Sequence, residues 1–231
     1  SNLATVSLSV TAVNDAPVAA DAQASTFEDN ALALDLRTYA ADVDSSVLNA
    51  SIVTGPANGV LAANIEGTFT YTPNADFNGT DSFTYRVSDG ELESNLATVS
   101  ITVAAVNDAP QGMSTTVTTL EDTPYVFALA DFGFGDSSDA PENSFAAVTL
   151  TSLPLAGSLL KNGLAVAAGE SISAADIAAG LLQFAPTLNA NGTNYASLDF
   201  RVQDDGGTAN GGVDRDQIER TITIDVTAVN D

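Results

Sequence analysis

Cysteine, histidine and tryptophan are absent from all 231 residues, and Lys and Arg together number only six. Each absence closes a class of function. Without cysteine there is no disulfide, no thiolate nucleophile and no zinc finger. Without histidine there is no Ser-His-Asp triad and no imidazole ligand for zinc, iron or copper. Six cations against 30 Asp and Glu leave a formal charge of −24. Such a chain does not neutralise a phosphate backbone, and an anionic membrane surface repels it. No apolar run approaches the ~18 residues of a spanning helix. What the chain does hold in excess is carboxylate oxygen, whose natural partner is a hard divalent cation, calcium first.

The charge does not imply disorder. Apolar residues make up 45% of the chain and charged residues 16%, below the ~25% of ordinary domains. A folded chain with its negative charge gathered in a few places is expected. The sequence starts without Met or a signal peptide, and reads as a soluble piece of a longer secreted bacterial protein.

An internal repeat organises the chain. SNLATVSLSVTAVNDAP at 1–17 returns as SNLATVSITVAAVNDAP at 94–110, differing only at Leu8/Ile101, Ser9/Thr102 and Thr11/Ala104. A third copy, TITIDVTAVND, closes the chain. The expected organisation is a strand and linker of a preceding repeat at 1–17, one unit at 18–110 and a longer unit at 111–231. Phe27-Glu28-Asp29 answers Leu120-Glu121-Asp122, Asn78-Gly79-Thr80 answers Asn191-Gly192-Thr193, and Arg86-Val87 answers Arg201-Val202. The second unit has gained about twenty residues in its first half and about ten after its Arg-Val pair.

Alternation of apolar residues with Thr and Ser, punctuated by Gly, Pro and Asn turns, predicts antiparallel strands. In the first unit they fall near 22–28, 31–37, 50–54, 59–63, 67–72, 81–88 and 95–106. Seven short strands in such a length predict an all-β, Greek-key sandwich of immunoglobulin type. The second unit repeats the plan, with a hairpin turn at Lys161-Asn162-Gly163 and one short helix between Ser171 and Gly180. Ser173 is the expected cap of that helix, and Gly180 its stop.

The acidic residues cluster at matching points of both units. Glu28-Asp29 matches Glu121-Asp122. Asp42-Val43-Asp44 is answered by Asp136, Asp139 and Glu142, among which the spacing leaves the choice open. Asp89 corresponds to Asp204-Asp205, and an Asn-Asp pair marks each boundary, at Asn14-Asp15, Asn107-Asp108 and Asn230-Asp231. Asp76 and Asp81 lie on the loop before the sixth strand. In a Greek-key sandwich these loops lie at the two ends of the body, so stacking units end to end is expected to bring carboxylates together. Bare carboxylates a few ångströms apart repel one another, whereas Ca²⁺ takes six to eight oxygens.

This order of motifs resembles the cadherin repeat. In wording it resembles the bacterial cadherin-like tandem repeats of giant secreted adhesins of the repeats-in-toxin type. The residues that carry the likeness are Val106-Asn-Asp-Ala-Pro110, Glu28-Asp29, Asp42-Val-Asp44, Phe77-Asn-Gly-Thr-Asp-Ser-Phe-Thr-Tyr85 and Arg86-Val-Ser-Asp-Gly90. The second unit resembles the variant related to chondroitin sulfate proteoglycan repeats, through Gly157-Ser-Leu-Leu160, Ala174-Ala-Asp-Ile177 and Gln203-Asp-Asp-Gly-Gly207. The resemblance implies calcium between consecutive units. Glu28, Asp76, Asp81, Asn107, Asp108, Asp136, Asp139 and Asp204 form the implied central site, and Asn14, Asp15, Asp42, Asp44 and Asp89 an upstream half-site. The family's second Glu falls on Asn78.

Plainer readings stand beside these. Asp42-Val-Asp44 also suits a solvated turn. Asp42 opens no EF-hand, since Val47 and Val53 occupy the glycine and glutamate positions. Asp29 and Asp122 are expected to point away from any ion. Arg86 and Arg201 are expected to pair with carboxylates on the outer sheet face, Arg201 with Asp199. The functional expectation is a non-enzymatic, extracellular extender module of a bacterial surface adhesin, partnered by neighbouring repeats of its own chain. The alternative is a carbohydrate- or protein-binding module. Nucleic-acid binding and membrane insertion are not expected.

Overall fold

A computed structural model describes residues 3–230. Ser1 and Asn2, at the start of the expected 1–17 segment, and Asp231, of the closing Asn-Asp pair, lie outside the described residues. The chain divides into two compact units, Ser1–Ala105 and Val106–Asp231.

In the first unit the strands are β1 (Val18–Ala19), β2 (Ala22–Phe27), β3 (Leu32–Asp35), β4 (Ala40–Ala41), β5 (Asn49–Thr54), β6 (Gly59–Ala63), β7 (Thr68–Pro73), β8 (Gly79–Ser88) and β9 (Ala97–Ala104). All seven expected strands are present, and β1 and β4 add a short antiparallel pair. One sheet runs β2-β9-β8-β5 and the other β3-β7-β6. The repeated sequence forms β9, which lies parallel to β2 and antiparallel to β8. Its alternation has a direct cause: Ala97, Val99, Ile101 and Val103 are buried, while Ser100 and Thr102 face out. Phe69, Tyr71, Phe83, Tyr85 and Val87 meet them in one core. Each such side chain contributes roughly 1.5–3 kcal/mol on burial.

The earlier copy of that sequence behaves differently. Residues 3–17 form no strand, and Val6, Leu8 and Val10 are 80–92% exposed. The same residues that fill a core in β9 find no sheet here.

The second unit comprises β10 (Thr115–Leu120), β11 (Tyr125–Val126), β12 (Phe145–Leu150), β13 (Ser158–Lys161), β14 (Leu164–Ala165), β15 (Ser171–Ser173), α1 (Ala174–Ala178), β16 (Leu182–Ala185), β17 (Gly192–Asp204) and β18 (Arg220–Thr227). Its sheets run β10-β18-β17-β12-β15 and β11-β16-β13-β14. As in the first unit, the opening strand lies parallel to the last. The added segments are the ones expected. Asn162 and Gly163 both take positive φ at the β13–β14 turn, as a tight hairpin demands. Ser173 Oγ accepts the Asp176 N–H at 3.1 Å and caps α1. Asp176 also binds Lys161 at 2.8 Å. The architecture is an all-β sandwich in each unit.

Candidate metal centres

Each unit has an entry end, where the chain arrives with its Asn-Asp pair, and an exit end beyond its first long strand. The entry ends match residue by residue. In the first unit Asn14 Nδ2 donates to Asp89 Oδ2 at 2.8 Å, and the Asp15 N–H donates to Asp44 Oδ2 at 3.0 Å. In the second, Asn107 Nδ2 donates to Asp204 Oδ1 at 3.1 Å, and the Asp108 N–H donates to Asp139 Oδ2 at 3.1 Å. Asp89 thus corresponds to Asp204 and Asp44 to Asp139, so Asp42 corresponds to Asp136. Of Asp136, Asp139 and Glu142, the first two are buried and Glu142 is exposed. Carboxylate oxygens of Asp108 and Asp139 lie within 4.8 Å of one another.

The two entry ends differ in their electrostatics. In the first unit the cluster is more open, with Asp15 and Asp44 exposed and Asp42 and Asp89 half-buried. Asp42 Oδ1 accepts the Asp44 and Ser45 N–H groups at 2.9 and 3.0 Å, which hold its pKa below the usual value. Asp89 is lowered in the same way by the Leu92 and Glu91 N–H groups. In the second unit Asp136, Asp139 and Asp204 are only 3%, 8% and 2% exposed. Burial pushes Asp136 up to about 6 against the Asn143 N–H, and the neighbouring Asp139 and Asp204 carboxylates add to the rise. Burial raises Asp204 too, with Asp214 and Asp139 contributing. No ion pair among the described residues reaches these three. Asp136 Oδ1 is buried without a hydrogen-bond partner, and so is Asp42 Oδ2 at the matching place. A dry group of carboxylates with an unsatisfied oxygen fits a hard cation, because protonation or a cation relieves its mutual repulsion.

The exit ends also match. Asn78 Nδ2 donates to Glu28 Oε2 at 3.4 Å, and Asn191 Nδ2 donates to Glu121 Oε2 at 2.8 Å. The Asp76 N–H meets Asp29 Oδ1 at 3.4 Å, as the Asn189 N–H meets Asp122 Oδ1 at 2.8 Å. All four residues of these turns have left-handed φ, between 56 and 59°, a conformation that Asp and Asn tolerate. Asp29 and Asp76 have carboxylate oxygens within 4.8 Å of each other. Asp29 therefore does not turn away from the acidic group, as its adjacency to Glu28 suggests. The Val229 N–H and Asn191 lower Glu121.

Asp81 is a correction. It lies inside the first unit, 6% exposed, and protein donors take both of its oxygens. Oδ1 accepts the Ala57 and Ser82 N–H groups at 3.0 and 2.8 Å, and Oδ2 accepts the Asn58 N–H and Tyr71 hydroxyl, both at 2.9 Å. Burial works to raise its pKa, but these donors outweigh it and hold it low. Asp81 ties β8 to the β5–β6 turn and has little left to offer an ion. Arg201 is a second correction. It donates to the Asp216 and Gln217 carbonyls, while Asp199 is bound by Ser152 and Thr221. Arg86 does pair on the surface, with Glu93 at 3.3 Å. Sequence reasoning missed Asp216, 2% exposed, which accepts from Arg220 Nε at 2.9 Å and from the Gly112 and Ile218 N–H groups at 2.8 Å. Its only signal was an Asp four residues before an Arg.

Residues 14–105 match the bacterial cadherin-like domain family. The fold is cadherin-like. Drosophila N-cadherin EC1-4 superposes with a TM-score of 0.52 at 12% identity, covering 90% of this chain and 49% of that one. Mouse protocadherin-24 EC1-3 superposes at 0.50 and 11% identity, covering 90% and 70%. At these identities the likeness speaks for the fold alone. Integrin beta-like protein C of Dictyostelium discoideum is 30% identical over 139 residues, which is 59% of this chain and 7% of that protein. The cadherin-like chain therefore spans a small part of that relative's length. Domains of the family matched by residues 14–105 are in general extracellular, non-enzymatic modules. No helix among the described residues is long and apolar enough to cross a membrane.

Proposed function

We propose that this cadherin-like chain is a calcium-binding extender module of a bacterial cell-surface or secreted adhesin. The supporting observation is the buried carboxylate group of the second unit, with Asp136 Oδ1 lacking a partner, repeated in more open form around Asp42. Asp108, Asp136, Asp139 and Asp204 would hold the ion there, and Asp15, Asp42, Asp44 and Asp89 would hold one in the first unit. Glu28 and Asp76 are the ligands proposed from the exit side. Calcium supplies positive charge to oxygens that otherwise repel. Because Asp108 belongs to the linker, binding fixes that linker to the unit following it and stiffens the junction between repeats.

Calorimetric titration of the whole chain with Ca²⁺, with thermal melts in calcium and in EDTA, tests this reading. Binding heat and a higher melting temperature in calcium are expected, together with a longer particle in small-angle scattering. Identical melts and no binding heat would overturn it.

A further inference from the structure

The longer loop that follows β17 surrounds one residue of the linker. Asn107 Nδ2 donates to Asp204 and, at 2.8 Å, to the Val213 carbonyl. The Val213 N–H donates back to the Asn107 carbonyl at 2.8 Å. Asn143 Nδ2 donates to Asn107 Oδ1. Both polar ends of the side chain and its backbone carbonyl are therefore occupied by the second unit's own atoms.

Two glycines make the space. A Cβ on Gly206 would land on the Asn107 carboxamide oxygen, with Asn143 Nδ2 beside it, and one on Gly212 would press on Asn107 Cβ. Neither has left-handed φ, so Gly206 is required for room and not for backbone freedom, and Gly212 fits closely against the same residue. At the matching place in the first unit, Asn14 donates to Asp89, and the chain returns through the shorter segment 89–96 without enclosing it.

We propose that the Asp205–Glu219 loop is a latch that holds the linker on the second unit without any ion, with Gly206 as a positioning residue that acts through Asn107. The latch rests on protein hydrogen bonds alone. Its consequence for calcium rests on the reading above: by fixing Asn107 it presents Asp108 to Asp139 before the ion arrives. The cost of ordering the linker is then met in advance, as for any preorganised site. The first unit lacks the enclosure, so without the ion its linker rests on the Asn14–Asp89 and Asp15–Asp44 contacts alone and opens more readily.

Amide hydrogen exchange on the whole chain in EDTA tests this. Gly206→Ala and Asn107→Ala should each speed exchange at Val213 about tenfold, the factor carried by one to two net hydrogen bonds. The double variant should exchange no faster than either single, because the added methyl acts only by displacing Asn107. Amides of Leu198 and Ile222 report on the fold in the same spectra. If Gly206→Ala also loosens these, Asn107→Ala, which removes a partly exposed linker side chain, decides alone. In the wild type the Asp15 amide should exchange faster than that of Asp108. Unchanged Val213 exchange, or full additivity in the double variant, overturns the latch. Calcium titrations of the same proteins keep the two readings apart: a chain that binds no calcium but shows this exchange pattern retains the latch and loses the metal.

Discussion

The backbone N–H of Asp108 lies 3.1 Å from the carboxylate of Asp139, 31 positions away in the chain. An N–H donated to a carboxylate holds that carboxylate in place and leaves its remaining lone pairs for another partner. The same contact joins Asp15 to Asp44 at 3.0 Å. Two units of different length thus keep one arrangement at their entry ends, buried in one and more open in the other. That difference sets what each should do when tested.

Asp136→Asn should weaken calcium binding at the second unit by about tenfold or more, since affinity at oxygen sites follows the count of ligand charges. The same change should stabilise the ion-free protein, because it removes a charge from a buried group of like charges. Calorimetry and melts in EDTA read the two effects, which have opposite signs.

The pH dependence of the ion-free protein follows from the shifts. Asp136 is raised from 3.8 to about 6 in the fold, so its contribution is fully present below pH ~4 and is lost as pH rises through ~6, on the order of 3 kcal/mol. In EDTA the melting temperature should fall between pH 4 and 7, and Asp136→Asn should flatten that fall. Asp81 and Asp216 are lowered, so their stabilisation is present above pH ~4 and disappears only as pH drops through their folded values. A melting temperature that rises steadily from pH 4 to 7 in EDTA would contradict the burial of Asp136.

Asp81→Ala should cost about 2–4 kcal/mol in urea unfolding, because it strands the Ala57 and Asn58 N–H groups and the Tyr71 hydroxyl. Tyr71→Phe should cost about 1 kcal/mol. Neither should change calcium affinity. A clear loss of binding in Asp81→Ala at intact fold would return Asp81 to the ligands.

Arg220→Ala should destabilise the second unit by about 3–5 kcal/mol, since it leaves Asp216 as a buried charge without its cation. Replacing both residues, Asp216→Asn with Arg220→Met, should cost less than the single change. Chemical denaturation of the two variants reads the difference.

Most of the strand pattern was legible because its cause is local. Phe83, Tyr85 and Val87 alternate with Thr84 and Arg86 in the sequence as they alternate between core and surface in β8. The capped helix at Ser173 and the turn at Asn162-Gly163 were legible for the same reason. Asp81 was not: its partners at Ala57, Asn58 and Tyr71 come from other strands, and no spacing announces a carboxylate aimed inward. Arg201 likewise reaches carbonyls beyond β17 in preference to Asp199 on its own strand.

The sequence by itself determined two repeated all-β units and the acidic residue types at their ends, because periodicity and composition are properties of the chain. Only the tertiary structure decided which carboxylates are dry, which are spent on interior hydrogen bonds and which residue the latch encloses. Burial and desolvation arise between segments far apart in sequence.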